Sequence, residues 1–393
     1  MVWLAVLIAG LLTSDGVVLL ARDGSGDAHG TARSSVIEPS PRPAPAPPAR
    51  IAFARMDWTG KVRRISSVLP DGSGLGTPKT PAVRREQISS LTGLIVYSKT
   101  LDSSYVPPHT TCGIAGCVFG YSSYEEAAIA VALPDGSSER VLTPKKGFDT
   151  QPTFSPDGTV IAYLQHSKRK GDDDEFDMVV MMTPEGSRLG ALVPPKRYTY
   201  DSPAWSPDGR SIAVLRRGSR NGAFVAEVVI LPIDGSRPRV LANGEYRDLA
   251  WSRDGRFLAG VLARREKSSD AFRGDVLGDD LWLIPIDGGR LRNMTRLAPA
   301  RGPSRSLGFC DSFGTPLPGR LGQPAWSSDG KQIAFLSSYR HVDRLSHIDD
   351  VAVVNANGSG MRLVYRSPLR RCYRPITDAP QPEQMRLLGW TTS

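Results

Sequence analysis

From residue 50 onward the chain alternates short apolar runs with clusters of turn-forming residues. The runs are about four to six residues long and rich in Val, Ile, Leu, Ala and aromatics, which is strand length and strand composition. The stretch AWSPDGRSIAVL, residues 204–215, shows the unit. Pro207 presets φ for the second position of a type I turn, Asp208 bonds its own backbone, and Gly209 takes the left-handed conformation that completes the reversal. Copies begin at Thr153 (TFSPDGTVIAYL), Ala250 (AWSRDGRFLAGVL) and Ala325 (AWSSDGKQIAFL), with aromatic anchors at Phe154, Trp205, Trp251 and Trp326. A fifth anchor, Trp390, ends the segment LLGW.

A second hairpin signal repeats between the anchors: an apolar run, then an acidic or amide residue and glycine. It occurs at Asp71-Gly72, Asp135-Gly136, Glu185-Gly186, Asp234-Gly235, Asp287-Gly288 and Asn357-Gly358. Two hairpins make four strands, and six such units predict an all-β fold, a six-bladed β-propeller of four-stranded antiparallel blades. Trp390 then marks an inner strand and RIAFAR, residues 50–55, the second strand of one shared blade. Pairing of the N-terminal and C-terminal strands in that blade is expected to close the ring and remove its open edges. The anchor missing from the series falls near Ile88, ahead of GLIVYS.

The pattern xPxWSPDGxxIAF followed by IDGS resembles the repeat of TolB-type propellers, a WD-like repeat that also builds the propeller domain of prolyl-oligopeptidase-like serine peptidases. The resemblance covers residues 50–393 and implies a binding scaffold, since such propellers serve many partners. TolB carries an α/β domain ahead of its propeller, where this sequence has a short linker. The peptidases carry a Gly-x-Ser-x-Gly nucleophile elbow, which this sequence lacks. Gly72-Ser73-Gly74 and Gly358-Ser359-Gly360 are hairpin glycines. Neither catalysis nor a cofactor is expected.

Composition is that of a folded β protein, 40% hydrophobic and 23% charged with 39 Gly and 32 Pro. The net charge of +9 favours an anionic surface such as a cell-envelope polymer. Basic runs are short and carry no aromatic stripe, so nucleic acid is not the expected partner. At the amino terminus, apolar residues 2–12 are interrupted by Thr13-Ser14-Asp15-Gly16 and resume as VVLLA before Arg22. A continuous span needs roughly 20 apolar residues. A proline-rich spacer, EPSPRPAPAPPAR, follows at 38–50. Residues 1–21 therefore read as a signal peptide or membrane anchor, 22–49 as a Pro-rich disordered linker and 50–393 as the propeller. The expected location is extracytoplasmic, secreted or held by an N-terminal transmembrane segment that is the chain's sole membrane contact.

The four cysteines, Cys112, Cys117, Cys310 and Cys372, suit two disulfides in that compartment, Cys112 with Cys117 and Cys310 with Cys372; one C-x4-C and two distant singles make a weak zinc spacing. Both kinds of hairpin turn fall on one face of the disc, so the long connections fall on the other, where binding residues concentrate. The inner-strand starts facing that side are Gln151, Asp201, Ser202, Arg247, Asp248, Gln323 and Arg386, a mixed polar rim suited to a peptide or sugar. They also suit plain strand capping around a water-filled channel. Asp172, Asp173 and Asp174, with Glu175 and Asp177, cluster as calcium ligands would but without an EF-hand spacing, and His341 and His347 with Asp343, Asp349 and Asp350 form the one enzyme-like set. Arg216, Arg217 and Arg220 read as a basic loop and residues 178–182, MVVMM, as a buried strand. The expectation is a monomeric, non-catalytic module binding a protein, peptide or envelope polymer through its long-loop face. The alternatives are an extracytoplasmic sensor domain of a membrane regulator whose start lies further upstream, and a metal-dependent lyase or hydrolase.

Overall fold

The computed structural model describes residues 49–56, 62–78, 84, 87–105, 109–113, 116–120, 123–144, 147–168, 175–192, 198–266, 276–295, 309–310, 316–317, 320–340, 347–366 and 384–392. Regular structure among them is all β, and no helix there is long and apolar enough to cross a membrane. The proposed leader, and the proposed linker apart from Ala49, which begins β1, lie outside the described residues.

In chain order, β1 (Ala49–Met56) pairs with β2 (Val62–Val68). β3 (Ile95–Tyr105) precedes a small hairpin, β4 (His109–Gly113) with β5 (Gly116–Gly120), and pairs with β6 (Ser123–Ala132), which pairs with β7 (Arg140–Val141). The next meander is β8 (Phe148–Phe154), β9 (Ile161–Lys168), β10 (Glu175–Met182) and β11 (Arg188–Ala191), joined to β6 by one parallel pairing of Ala127 with Phe148. Two separate four-stranded antiparallel sheets follow. One is β12 (Tyr198–Trp205), β13 (Ser211–Arg220), β14 (Ala223–Pro232) and β15 (Arg239–Asn243); the other is β16 (Tyr246–Trp251), β17 (Phe257–Glu266), β18 (Val276–Pro285) and β19 (Arg292–Asn293). A short pair, β20 (Phe309–Cys310) with β21 (Pro316–Leu317), precedes a third four-stranded sheet of β22 (Arg320–Trp326), β23 (Gln332–Arg340), β24 (His347–Asn355) and β25 (Arg362–Tyr365). Finally β26 (Gln384–Thr392) pairs antiparallel with β1, from Ala49 opposite Thr392 to Met56 opposite Gln384. N-terminal and C-terminal strands thus share a sheet, as the anchor at Trp390 predicts.

The core lies between sheets. Val214 and Val229 of the β12–β15 sheet pack on Leu164 and Val179 of the sheet before it, while Leu215 and Ile230 from the same two strands pack on Leu258 and Ile284 of the sheet after it. Alternate residues of one strand therefore serve opposite interfaces, so the strands read as apolar runs. Phe53 and Ile51 of β1 join the last four-stranded sheet through Leu336, Val351 and Val353.

Each Trp anchor also reaches across an interface. Trp205 Nε1 donates to Thr153 O at 3.3 Å, Trp251 to Ala204 O at 3.0 Å, Trp326 to Ala250 O at 3.1 Å and Trp390 to Ala325 O at 2.9 Å. The acceptor always lies on the innermost strand of the preceding sheet, one residue before that strand's own anchor. Indole is required here because it combines a large apolar body with one donor. The position left without an aromatic is where the repeat placed it: Ile88 bridges to Ile95, and Ser89 N bonds Leu94 O at 2.8 Å just as Ser155 N bonds Val160 O.

The Ser-x-Asp-Gly turns share one construction. The serine hydroxyl donates to the aspartate at 2.5–2.6 Å, and the same hydroxyl accepts the amide that opens the second strand. The glycines sit at φ of 68–75°, where a side chain is strained. These bonds, the serine hydroxyl's first, hold Asp157, Asp208, Asp254 and Asp329 below the ordinary carboxylate value of 3.8. A carboxylate depressed in the folded state stabilises above its unfolded value and loses that contribution as pH falls through its folded one. Stability is therefore expected to hold above about pH 5 and to decline below about pH 4. In urea titrations across this range, Asp208→Asn should show a shallower acid decline than the parent; parallel curves would refute the assignment.

Candidate functional site

The seven positions proposed from sequence as a rim lie on β8, β12, β16, β22 and β26, and the structure shows what six of them bond. On β8, β12, β16 and β22 the register shifts at the same place, two residues bulging against the neighbouring strand. The first of the two is Gln151, Ser202, Asp248 or Gln323, each with φ of 51–53°, a conformation that costs a non-glycine residue about 1–2 kcal/mol. The second is Pro152, Pro203, Leu249 or Pro324, and proline is tolerated in a sheet at a bulge.

The strain is offset because each bulge frees an amide that the preceding sheet's bulge side chain accepts. Ser202 N donates to Gln151 Oε1 at 2.8 Å, Asp248 N to Ser202 Oγ at 3.0 Å, Gln323 N to Asp248 Oδ2 at 3.2 Å and Leu387 N of β26 to Gln323 Oε1 at 2.8 Å. At the other end Gln151 N donates to Ser98 Oγ of β3 at 3.2 Å. The result is a belt of side-chain-to-backbone bonds linking β3, β8, β12, β16, β22 and β26 in turn. Gln151, Ser202, Asp248 and Gln323 are thus engaged with one another.

Two of the charged rim residues are paired as well. Asp201 accepts from Gln151 Nε2 at 2.9 Å and lies 3.4 Å from Arg217; Arg247 pairs with buried Asp279, which also accepts Leu321 N of the next sheet at 3.0 Å. Arg386 differs. It is exposed, and it makes no hydrogen bond or ion pair among the described residues. Burial and then Arg84 push its guanidinium below the ordinary value.

Several other expectations resolve. Arg216, Arg217 and Arg220 are on strand β13, not a loop, and they have targets: Arg216 and Arg220 clamp buried Glu227 of β14, and Arg216 stacks over Tyr198 at 4.8 Å. Glu227 is opposite Arg216 in the strand register; cross-strand pairing was the signal that could have found it. Asp177 belongs to β10 and turns inward, accepting Tyr200 N at 2.8 Å and facing His166. Val179 and Val180 of the methionine-rich strand are fully buried. Among the described residues no three His, Cys, Asp or Glu groups converge as a metal site. Asp172, Asp173, Asp174, His341 and Cys372 lie outside the described residues, and His347 and Cys310 are described in their backbone alone. Cys112 and Cys117 face each other in the β4–β5 register.

On the turn side of the belt the innermost strands surround a cavity of about 630 Å³. Its deep wall is Pro203, Leu249, Pro324 and Leu388; Trp205, Trp251, Trp326 and Trp390 form the middle, with Phe154, and Pro156, Pro207, Arg253 and Ser328 stand at the mouth. Much of the hydroxyl lining is already engaged: Ser155 and Ser327 bond their turn aspartates and Ser90 bonds Pro156 O at 2.8 Å. Arg84 lines the funnel and reaches Pro324 O at 3.3 Å. Sequence reasoning missed this funnel because prolines, alanines and indoles read as core.

No family model matches the chain. It is 25% identical over 220 residues to YuxL, an uncharacterized peptidase of Bacillus subtilis, covering 52% of this chain and 32% of that one. The chain thus spans about a third of that relative's length. Among solved structures it is similar to a TolB protein of Agrobacterium tumefaciens, at 14% identity with a TM-score of 0.42 over 82% of this chain and 90% of that one. It is similar also to a puromycin-hydrolyzing peptidase of Mycobacterium tuberculosis, at 15% identity with a TM-score of 0.45 over 81% of this chain and 46% of that one.

Proposed function

We propose that the chain is an exported six-bladed propeller, closed through the β1–β26 pairing, that acts as a non-catalytic binding module and receives an apolar peptide segment of a partner protein in the funnel on its turn face. The observation that carries this reading is the funnel itself. A concave site with apolar walls and few free polar groups takes a ligand by buried apolar surface, which suits peptide side chains better than a sugar, whose hydroxyls would need partners. The sequence pointed to the opposite, long-loop face; most of those connections lie outside the described residues, and this funnel is on the turn side.

The test is to select peptides from a displayed random library against the full chain, then measure their affinity for Ser328→Trp, which plugs the mouth from an exposed turn position. Affinity is expected to fall at least tenfold, about 1.4 kcal/mol, with no cleavage of the peptide by mass spectrometry. Equal affinity for both proteins would move the site off the funnel, and cleavage would refute the non-catalytic reading.

A further inference from the structure

A second cavity of about 350 Å³ adjoins the funnel, between the β16–β19 sheet and the β22–β25 sheet. Arg253, Trp326 and Ser328 line both. Beside Trp326, the apolar lining of the smaller cavity is Phe257, Leu283 and Ala356. Phe257 departs from the repeat. It stands five residues after its turn serine, where the other three copies have Val160, Ser211 and Gln332. Its ring is only partly covered, and two guanidinium groups lie over it, Arg292 at 5.4 Å and Arg256 at 5.7 Å from the ring centre. Charge along the cavity is balanced, because Arg253 and Arg292 share the lining with Asp254 and Asp329. Each carboxylate is engaged within its own turn. Asp254 accepts from Ser252 Oγ at 2.6 Å and Arg256 N at 3.1 Å, and Asp329 from Ser327 Oγ at 2.6 Å and Lys331 N at 3.0 Å.

Resting on the funnel reading above, we propose that this cleft is a second subsite for the same peptide and takes one aromatic side chain, carried next to the apolar residues seated in the funnel. Two basic and two acidic groups leave the cleft without net charge, so it favours a neutral group over an anion or a cation. Size agrees: about 350 Å³ is the small end of ligand sites, about 300–1,000 Å³, and suits one large side chain. A guanidinium plane stacks on aromatic faces, so a ring from the peptide extends the stack that Phe257 and Arg292 begin. Trp326 is a wall common to both cavities and joins the two subsites into one path.

The test uses the full chain, parent, Phe257→Val and Arg292→Lys. The probes are the peptides selected on the parent, together with versions in which each aromatic residue in turn is changed to Ala or to Glu. Phe257→Val should melt close to the parent, since the repeat already carries valine at the equivalent Val160. Arg292 is exposed, so its variant reads the cleft even where the first alters stability. One aromatic position in the peptide is expected to matter. Changing it to Ala should weaken binding to the parent about tenfold, and Phe257→Val should weaken the unaltered peptide at least ~fivefold, within the range of an aromatic pair. The two losses combined should fall well short of their sum, because both remove one contact. Arg292→Lys keeps the charge but loses the flat stacking surface, and should weaken the same peptide about threefold. Additive losses, or full affinity for both variants, would overturn the subsite. A peptide with Glu at that position binding the parent as tightly would overturn the aromatic assignment. Peptides sensitive to Ser328→Trp but binding Phe257→Val and Arg292→Lys as they bind the parent would keep the funnel and remove the cleft, whereas peptides indifferent to all three variants would remove both.

Discussion

Deletion of residues 384–393 is expected to abolish cooperative folding. β26 contributes Met385, Leu387 and Leu388, each 5% exposed or less, and at about 1.5–3 kcal/mol per buried apolar side chain their loss removes roughly 5–9 kcal/mol. That is comparable to the whole stability of a typical domain, about 5–15 kcal/mol. The deletion also takes the Trp390 bond to Ala325 O and the last link of the belt, Leu387 N to Gln323 Oε1. Finally it uncovers β1, whose residues 51–54 are fully buried, as an apolar edge able to pair with other chains. Size-exclusion chromatography should show aggregates, and tryptophan fluorescence should show no sharp thermal transition. A synthetic peptide of residues 384–393 added during refolding should restore part of the monomer. A soluble monomer melting near the parent would mean that β1 and β26 are not the structural join.

How far the sequence carries follows from the range of each interaction. The turns are local: Ser206, Asp208 and Gly209 satisfy one another within a few residues, so their letters declare the hairpin. The pairing of β1 with β26 spans the chain, yet it was legible because Trp390 belongs to a repeat whose second strand is found only at residues 50–55. The belt was half legible. Gln151, Ser202, Asp248 and Gln323 stand three residues before each anchor, which marked them as a set, but their bonding depends on a bulge that frees an amide, and no letter encodes a bulge. The partners of Arg216 and Arg220 needed a strand register. The funnel was hidden for a different reason: its walls are core residues seen from the channel side, so composition alone cannot tell a packed surface from a concave one.

Trp251→Ala should destabilise the protein by about 3–4 kcal/mol, near the low end for removing a buried aromatic because the ring is only partly covered. Trp251→Phe should cost about 1 kcal/mol, the usual net worth of one hydrogen bond, since phenyl keeps most of the packing against Leu249 and Leu258 but cannot donate to Ala204 O. The protein contains its own version of this substitution. Phe154 occupies the equivalent place on β8, and the interface it faces is held instead by hydroxyls from the neighbouring turn, Ser89 Oγ to Gly158 O at 3.2 Å and Ser90 Oγ to Pro156 O at 2.8 Å. Gly158 is packed so closely there that a Cβ would lie 2.5 Å from Ser89 Oγ. At Trp251 the corresponding turn residues, Ser206 and Pro207, make no such crossing bond among the contacts of the described residues, so the indole donor has no substitute. Urea unfolding of both variants beside Ser90→Ala decides the matter: Trp251→Phe and Ser90→Ala should lose similar amounts, each from a different interface, and their double variant should lose the sum because the two sites share no partner. A Trp251→Phe variant as stable as the parent would show that the indole serves packing alone.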